Sequence, residues 1–354
     1  MGLPEINIEF HSKAVSAVSR SQRGIVALIL RDATITDMLT DTVSEYKVIT
    51  DVKSEDWTAA NLDLIKKTML SAPYKVIVVR GDTEDEDYNL QLSILASKKW
   101  NWLAVPGIAS ADTADITAWI KSQRNSKKTF KAVLPNSTAN DEGIVNFTTE
   151  GIVTADKTYA ASDYTGRIAG ALAALPLTRS ATYLVLDEVT DIIESVDPDA
   201  DIDAGKLILI KDDEQIKIGR GVNSLATVTA PKSEDWKSIE VVEGIDLITE
   251  DLRSTFNKQI GTFKNSYDNQ VLVLVAANAY LSSLENTVLD AQHDNRFDID
   301  IEKQRLAWES IGTDVSDLSD QQVKDKPFRK QMFVMGNLKF LQAFEDISFG
   351  ISIQ

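Results

Sequence analysis

Gly24-Ile25-Val26-Ala27-Leu28-Ile29-Leu30 is an apolar run opened by glycine. A continuous run of this length predicts a strand buried on both faces, the kind found in sheets covered by helices. Working outward, Trp57 to Leu70 carries Leu62, Ile65 and Met69 at helical spacing, Pro73 closes it, and Lys75 to Val79 supplies the next strand. A helix from about Tyr88 to Lys99, a strand Trp102 to Val105, a helix Thr113 to Arg124 and a strand Phe130 to Leu134 repeat the rhythm. Gly151-Ile152-Val153 continues it. Thr165 to Leu175 predicts an Ala-rich helix ended by Pro176, with Gly166, Gly170 and Ala173 small enough for close packing.

The pattern changes after Asp197-Pro-Asp-Ala-Asp-Ile-Asp203. Leu207 to Ile210 and Ile216 to Ile218 form a hairpin around the polar tip Lys211 to Gln215, and Pro231 to Trp236 has the composition of a linker. A further region begins near Ser238. There Thr249 is placed to cap a helix bearing Leu252, Phe256 and Ile260, and Gln270 to Asp290 predicts a second, largely buried helix. Asp298 to Glu302 alternates ahead of a short helix through Trp308, and the chain closes with Phe333 to Leu341 and Asp346 to Gln354. The expected class is mixed α/β (α+β) and multidomain. Its parts are an N-terminal arm at 1–22, an α/β region at 23–236 with a possible break near 90, a C-terminal core domain at 237–340 and a C-terminal arm at 341–354. No repeat of solenoid or heptad type is present.

The chain has 354 residues, 37 basic and 54 acidic, for a formal charge of −17, and no cysteine. That charge opposes binding to nucleic-acid phosphates and to anionic membranes. Without cysteine there is no disulfide, thiolate metal site or thiol nucleophile. The start, MGLPEINIEF, lacks the basic and apolar segments of a secretory signal, and no run approaches the roughly 20 apolar residues of a membrane helix. The expectation is a protein made in the cytosol.

Sites of chemistry are sparse. The two histidines, His11 and His293, lie in unrelated segments, and no Gly-x-Ser-x-Gly elbow occurs. Asp197, Asp199, Asp201 and Asp203 suggest a calcium loop, but Ile202 stands where the turn needs glycine and Ile208 where a bidentate Glu belongs. Gly219-Arg-Gly-Val-Asn-Ser224 resembles a dinucleotide fingerprint, yet it follows a hairpin and has Ser224 for the third glycine. Arg124, Lys127, Lys128 and Lys131 make a basic cluster, open to an anionic partner but accounted for by the negative end of a helix dipole. No catalytic residue, cofactor site or metal site is assigned.

The two ends carry the strongest remaining signal. Ile6, Ile8 and Phe10 alternate with polar residues at the start, and Ile347, Phe349, Ile351 and Ile353 do so at the finish. Neither segment has a hairpin neighbour, so each must find an edge in its own domain or in another subunit. Burying the C-terminal four is worth roughly 6–12 kcal/mol gross, against roughly 9–18 kcal/mol to order the segment. Alone the arm is marginal, and ladder hydrogen bonds from a partner edge favour order.

Gly2-Leu-Pro-Glu-Ile-Asn-Ile-Glu-Phe10, Arg23 to Leu30, Gly219 to Leu225, Asn265-Ser-Tyr-Asp-Asn269, Met335 to Phe340 and Ile347 to Ile353, in that order, resemble the contractile tail sheath proteins of phages and phage-tail-like bacteriocins. The likeness is closest to the short sheaths of Gram-positive prophages and R-type bacteriocins, and it spans nearly the whole chain. It implies a structural, non-enzymatic subunit that stacks as hexameric rings around an inner tail tube and contracts to drive that tube through a target cell envelope. It also implies that the arms, at Ile6, Ile8 and Phe10 and at Ile347, Phe349, Ile351 and Ile353, add strands to a C-terminal-domain sheet of neighbouring subunits. Further partners would be the baseplate and tail terminator, with assembly in the bacterial host cytoplasm.

Within that scheme Gly24 and Gly336 are the expected hinges, and Arg253, Lys258 and Lys264, on a helix from Thr249 to Lys264, are the expected tube-facing residues. Two other readings stay open: the sheath of a secretion or injection system, and a soluble α/β enzyme or ligand-binding protein supported by the rhythm of residues 24 to 175.

Overall fold

A computed structural model describes residues 18, 20, 22–34 and 42–353. The chain divides into two units, one of Gln22–Glu250 with Gln342–Gln354 and one of Met1–Ser21 with Asp251–Leu341. The expected N-terminal arm, with Ile6, Ile8 and Phe10, lies outside the described residues.

The first unit is built on the predicted run. Strand β1 (Ile25–Arg31) is followed by β2 (Val43–Tyr46), α1 (Ala59–Met69), β3 (Lys75–Gly81), α2 (Asn89–Ala96), β4 (Trp102–Ala104), α3 (Thr113–Asn125), β5 (Lys131–Pro135) and β6 (Ile144–Phe147). Next come β7 (Glu150–Thr154), β8 (Thr158–Tyr159), α4 (Ala161–Ala174), β9 (Val189–Ile193), α5 (Pro198–Asp203), β10 (Lys206–Leu207), β11 (Leu209–Asp212), β12 (Gln215–Ile218) and α6 (Ile239–Asn257). Among the described residues the main sheet has seven strands in the order β10-β6-β5-β4-β1-β3-β2, parallel except for β2. It is continuous across residue 90, which falls in α2 between two of its strands, so the expected break there is absent.

Side-chain alternation along β1 splits the core into two. Val26, Leu28 and Leu30 pack with Ile65, Met69, Ile168 and Leu172 from α1 and α4, while Ile25, Ala27 and Ile29 pack with Leu92, Leu95, Ile116 and Ile120 from α2 and α3. Asp32, just past β1, fixes the start of α1: its Oδ2 accepts from the Thr58 N–H at 3.0 Å, the Thr58 hydroxyl at 2.8 Å and the Asn61 amide at 2.7 Å. Burial alone would push this carboxyl up, but the donors Thr34, Asn61 and Thr58 outweigh it and hold Asp32 at about 2. The predicted small face of α4 is used as expected. A Cβ on Gly170 would stand 2.0 Å from the Thr68 carbonyl oxygen, so only glycine lets α4 come this close to α1.

A second sheet, β8-β7-β9, and the hairpin β11-β12 pack on the α4 side. The expected hairpin forms from Leu209 to Ile218, two residues later than the predicted start, because Lys206 and Leu207 pair with β6 instead. The acidic run is a helix cap: Asp197 accepts from the Ala200 N–H at 3.1 Å, and Asp201 is paired with Lys206 at 2.6 Å. After the hairpin, Gly219 to Leu225 opens no helix. Its backbone instead ties separate strands together, the Ser224 N–H donating to the Ile144 carbonyl at 2.8 Å.

In the second unit α6 contributes its last residues, followed by α7 (Tyr267–Ser282), β13 (Arg296–Ile299), α8 (Ile301–Glu309), α9 (Asp320–Lys324) and β14 (Val334–Asn337). Helix α6 begins ten residues before the expected cap, so Thr249 is internal. The N–H of Val242 donates to the Ser238 carbonyl at 3.2 Å, and Ile239, Val241, Val242, Leu247 and Ile248 are all buried, so the helix is packed well before Thr249. Helix α7 ends at Ser282, short of the expected Asp290. The block Asn265 to Asn269 explains its beginning. Ser266 accepts from the Asn269 N–H at 3.4 Å, and the Asn265 amide donates to the Arg329 and Gln331 carbonyls at 3.2 and 3.0 Å. The buried Gln304 amide and the Arg305 guanidinium hold the loops after α8 by donating to the carbonyls of Lys326 and Val315.

Candidate functional site

The residues singled out at the C-terminus form one continuous feature. From Ile347 to Ile353 the backbone joins no helix, turn or strand ladder among the described residues, and Ile347, Phe349, Ile351 and Ile353 are 63, 82, 84 and 95% exposed. Four large apolar side chains at strand spacing in open solvent are the signature of a surface meant to be covered.

A matching edge exists in the second unit. Strands β13 and β14 pair antiparallel from Arg296↔Asn337 to Ile299↔Val334, and among the described residues β14 has no ladder on its other side. All four of its residues are exposed. On the other strand the Asn278 side chain occupies the free edge at Phe297, accepting from its N–H at 2.8 Å and donating to its carbonyl at 3.1 Å. One edge is therefore blocked by a side chain and the other is open.

The two glycines differ. Gly24 has φ of +81°, and a Cβ there would lie 3.0 Å from the Ala173 carbonyl oxygen, so the turn into β1 requires glycine. Gly336 lies inside β14 opposite Phe297, whose ring fills the place a Cβ would take. It is locked in a ladder, and the unit to which it belongs ends at Leu341. Arg253, Lys258 and Lys264 are all exposed, but only Arg253 is helical, because α6 stops at Asn257.

The basic cluster is a correction. Lys131 is fully buried on β5, and its ammonium donates to Asp246 at 2.8 Å and pairs with Glu243 at 3.0 Å. Arg124 forks onto the same Asp246 at 2.9 and 3.1 Å, and Arg23 pairs with Glu243. Complete burial pushes Lys131 down to about 8, opposed by the charge of Asp246. Burial would raise Asp246, but Lys131 and Arg124 outweigh it and keep its carboxyl below the usual range. Arg124 and Lys131 therefore hold α6 in place instead of facing a partner, while Lys127 is exposed and Lys128 donates to the Ala96 carbonyl. The sequence clue lay in Glu243 and Asp246, one turn apart among the apolar residues Val241, Val242, Leu247 and Ile248.

Among the described residues no group of three or more His, Asp or Glu stands close enough to hold a metal, and no helix is long and apolar enough to cross a membrane. His11 lies outside the described residues.

The chain is similar to known proteins. Residues 81–224 match the phage tail sheath protein central domain. The chain is 36% identical over 361 aligned positions to a tail sheath protein of Clostridium phage phiCD119, covering 99% of each. Its fold is that of the anti-feeding prophage helical sheath in its contracted state, with a TM-score of 0.71 at 13% identity over 99% of both chains. The sheath tail protein of Desulfitobacterium hafniense matches with a TM-score of 0.67 at 18% identity, covering 84% of this chain and 94% of that one.

Proposed function

Since this chain belongs to the phage tail sheath proteins, structural components of phage-like contractile particles and not enzymes, we propose that it polymerises as stacked hexameric rings around an inner tail tube and contracts to drive the tube through a cell envelope. The observation that carries this reading is the exposed apolar row Ile347 to Ile353. In a polymer each subunit's row is covered by adding a strand to a neighbour, with the open side of β14 as the receiving edge. A head-to-tail contact of this kind does not close on a pair, so it propagates into a helical tube.

Contraction is then a rigid-body movement of folded units with the arms as flexible joints. Gly24 suits the N-terminal joint, since it alone tolerates its backbone angle. Gly336 is unsuited to the C-terminal joint, because a residue held in a ladder cannot turn. Arg253, Lys258 and Lys264 remain the proposed tube-facing charges. Baseplate and tail terminator complete the partners, and assembly takes place in the host cytoplasm. The enzyme reading is set aside with the family.

Negative-stain electron microscopy tests the proposal. Full-length protein expressed with its tube should give striated hollow tubes with six-fold end views, and a chain lacking 347–354 should stay as folded single subunits. Normal tubes from the shortened chain would refute strand addition.

A further inference from the structure

The C-terminal tail is not free along its whole length. Ahead of the exposed row, the Ala343 N–H donates to Glu240 Oε2 at 3.0 Å and the Gln342 amide donates to Asp235 Oδ1 at 3.0 Å. Glu345 Oε1 accepts from the hydroxyls of Ser180 and Thr182 at 2.7 and 2.6 Å. The Arg220 guanidinium stands 3.6 Å from Glu345 and donates to Asp346 at 2.7 Å. The dock is braced from behind, since Thr182 Oγ1 also accepts from the Gly221 N–H at 2.9 Å. Phe344, between the docked residues, points outward and is 84% exposed.

We infer that Ser180, Thr182, Arg220 and Glu240 form a clamp that positions the root of the C-terminal arm, so that the segment 347–353 leaves its own subunit in a set direction. The inference rests on the strand-addition reading above. A single exposed ion pair would carry little weight. Here contacts from three separate chain segments converge on two consecutive carboxylates and a backbone N–H, and the Glu345 side chain is only 22% exposed. Fixing the root in the free subunit removes part of the ordering cost of donating the strand and raises its effective concentration at the neighbour. This also assigns a role to Gly219 to Leu225, which supplies Arg220 and the Gly221 N–H.

The full chain contains no cysteine, so Phe344→Cys accepts a single nitroxide label. In the unassembled protein the label should be immobile, and adding Arg220→Ala with Thr182→Val should free it while the thermal transition stays in place. The same double variant should raise the concentration needed for tube formation about tenfold. Arg220→Glu should do likewise, and Asp346→Arg placed on Arg220→Glu should recover assembly. If the double variant does not fold, Glu345→Gln with Asp346→Asn, confined to the tail, gives the same readout. A mobile label in the parent chain overturns the clamp, as does parent-like assembly of the variants when removal of 347–354 still blocks it. Assembly without 347–354 would overturn the strand-addition reading itself, and the clamp with it.

Discussion

Val26, Leu28 and Leu30 on β1 and Ile347, Phe349, Ile351 and Ile353 in the tail are both rows of apolar side chains at strand spacing, yet the first row is sealed and the second stands in water. The strand β1 has β3 and β4 as neighbours and helices on both faces, all from its own unit. The tail has its root fixed and its apolar row unmet. Under the proposed strand addition, the difference lies in where each row finds its partner: one is completed on folding, the other on association. Stability of the subunit and competence to assemble should therefore respond to different residues.

The largest effect on folding is expected at the buried ion network. Asp246→Asn leaves Lys131 and Arg124 without their shared carboxylate and should cost about 3–5 kcal/mol in denaturant unfolding. Gly170→Ala drives a methyl into the Thr68 carbonyl and should cost about 1–3 kcal/mol, read the same way. Acid should find Asp32. Its folded pKa of about 2 lies below the unfolded value, so its contribution is whole above about pH 4 and is lost as pH falls toward 2. Asp32→Asn should flatten that part of the stability profile. The smallest change in folding, within about 0.5 kcal/mol, is expected for Phe349→Ser with Ile351→Ser, which should nonetheless abolish tubes in the microscope. If that pair lowered stability as much as a core substitution, the contrast between the two rows would be broken.

The central strand was legible because Ile25 to Leu30 is unbroken and apolar, and the close approach of α4 was legible in the spacing of Gly166 and Gly170. The short strand β2, Val43-Ser-Glu-Tyr46, carries too little pattern to stand out, and it is defined by pairing with β3. The sheet β8-β7-β9 is interrupted in sequence by α4, which hides its third strand. Lys131 was misread because its sequence neighbours Lys127 and Lys128 are also basic, while its partner Asp246 is 115 positions away. The start of α6 was missed because Thr249 is a good cap residue, and cap preference is local whereas the apolar row that overrides it is not. The tail's alternation was visible; the polar dock at its root was not, because Arg220, Thr182 and Glu240 meet only in the folded chain.

The tail's alternation also sets a standard of accuracy. Moving its pairing by one residue would exchange Ile347, Phe349, Ile351 and Ile353 for Ser348, Gly350 and Ser352 on the covered face, turning the whole apolar row back to water. If the tail joins subunits as proposed, a misaligned joint would fail completely instead of holding with a small fault, and strand pairing would act as a proof-reading step at each subunit added.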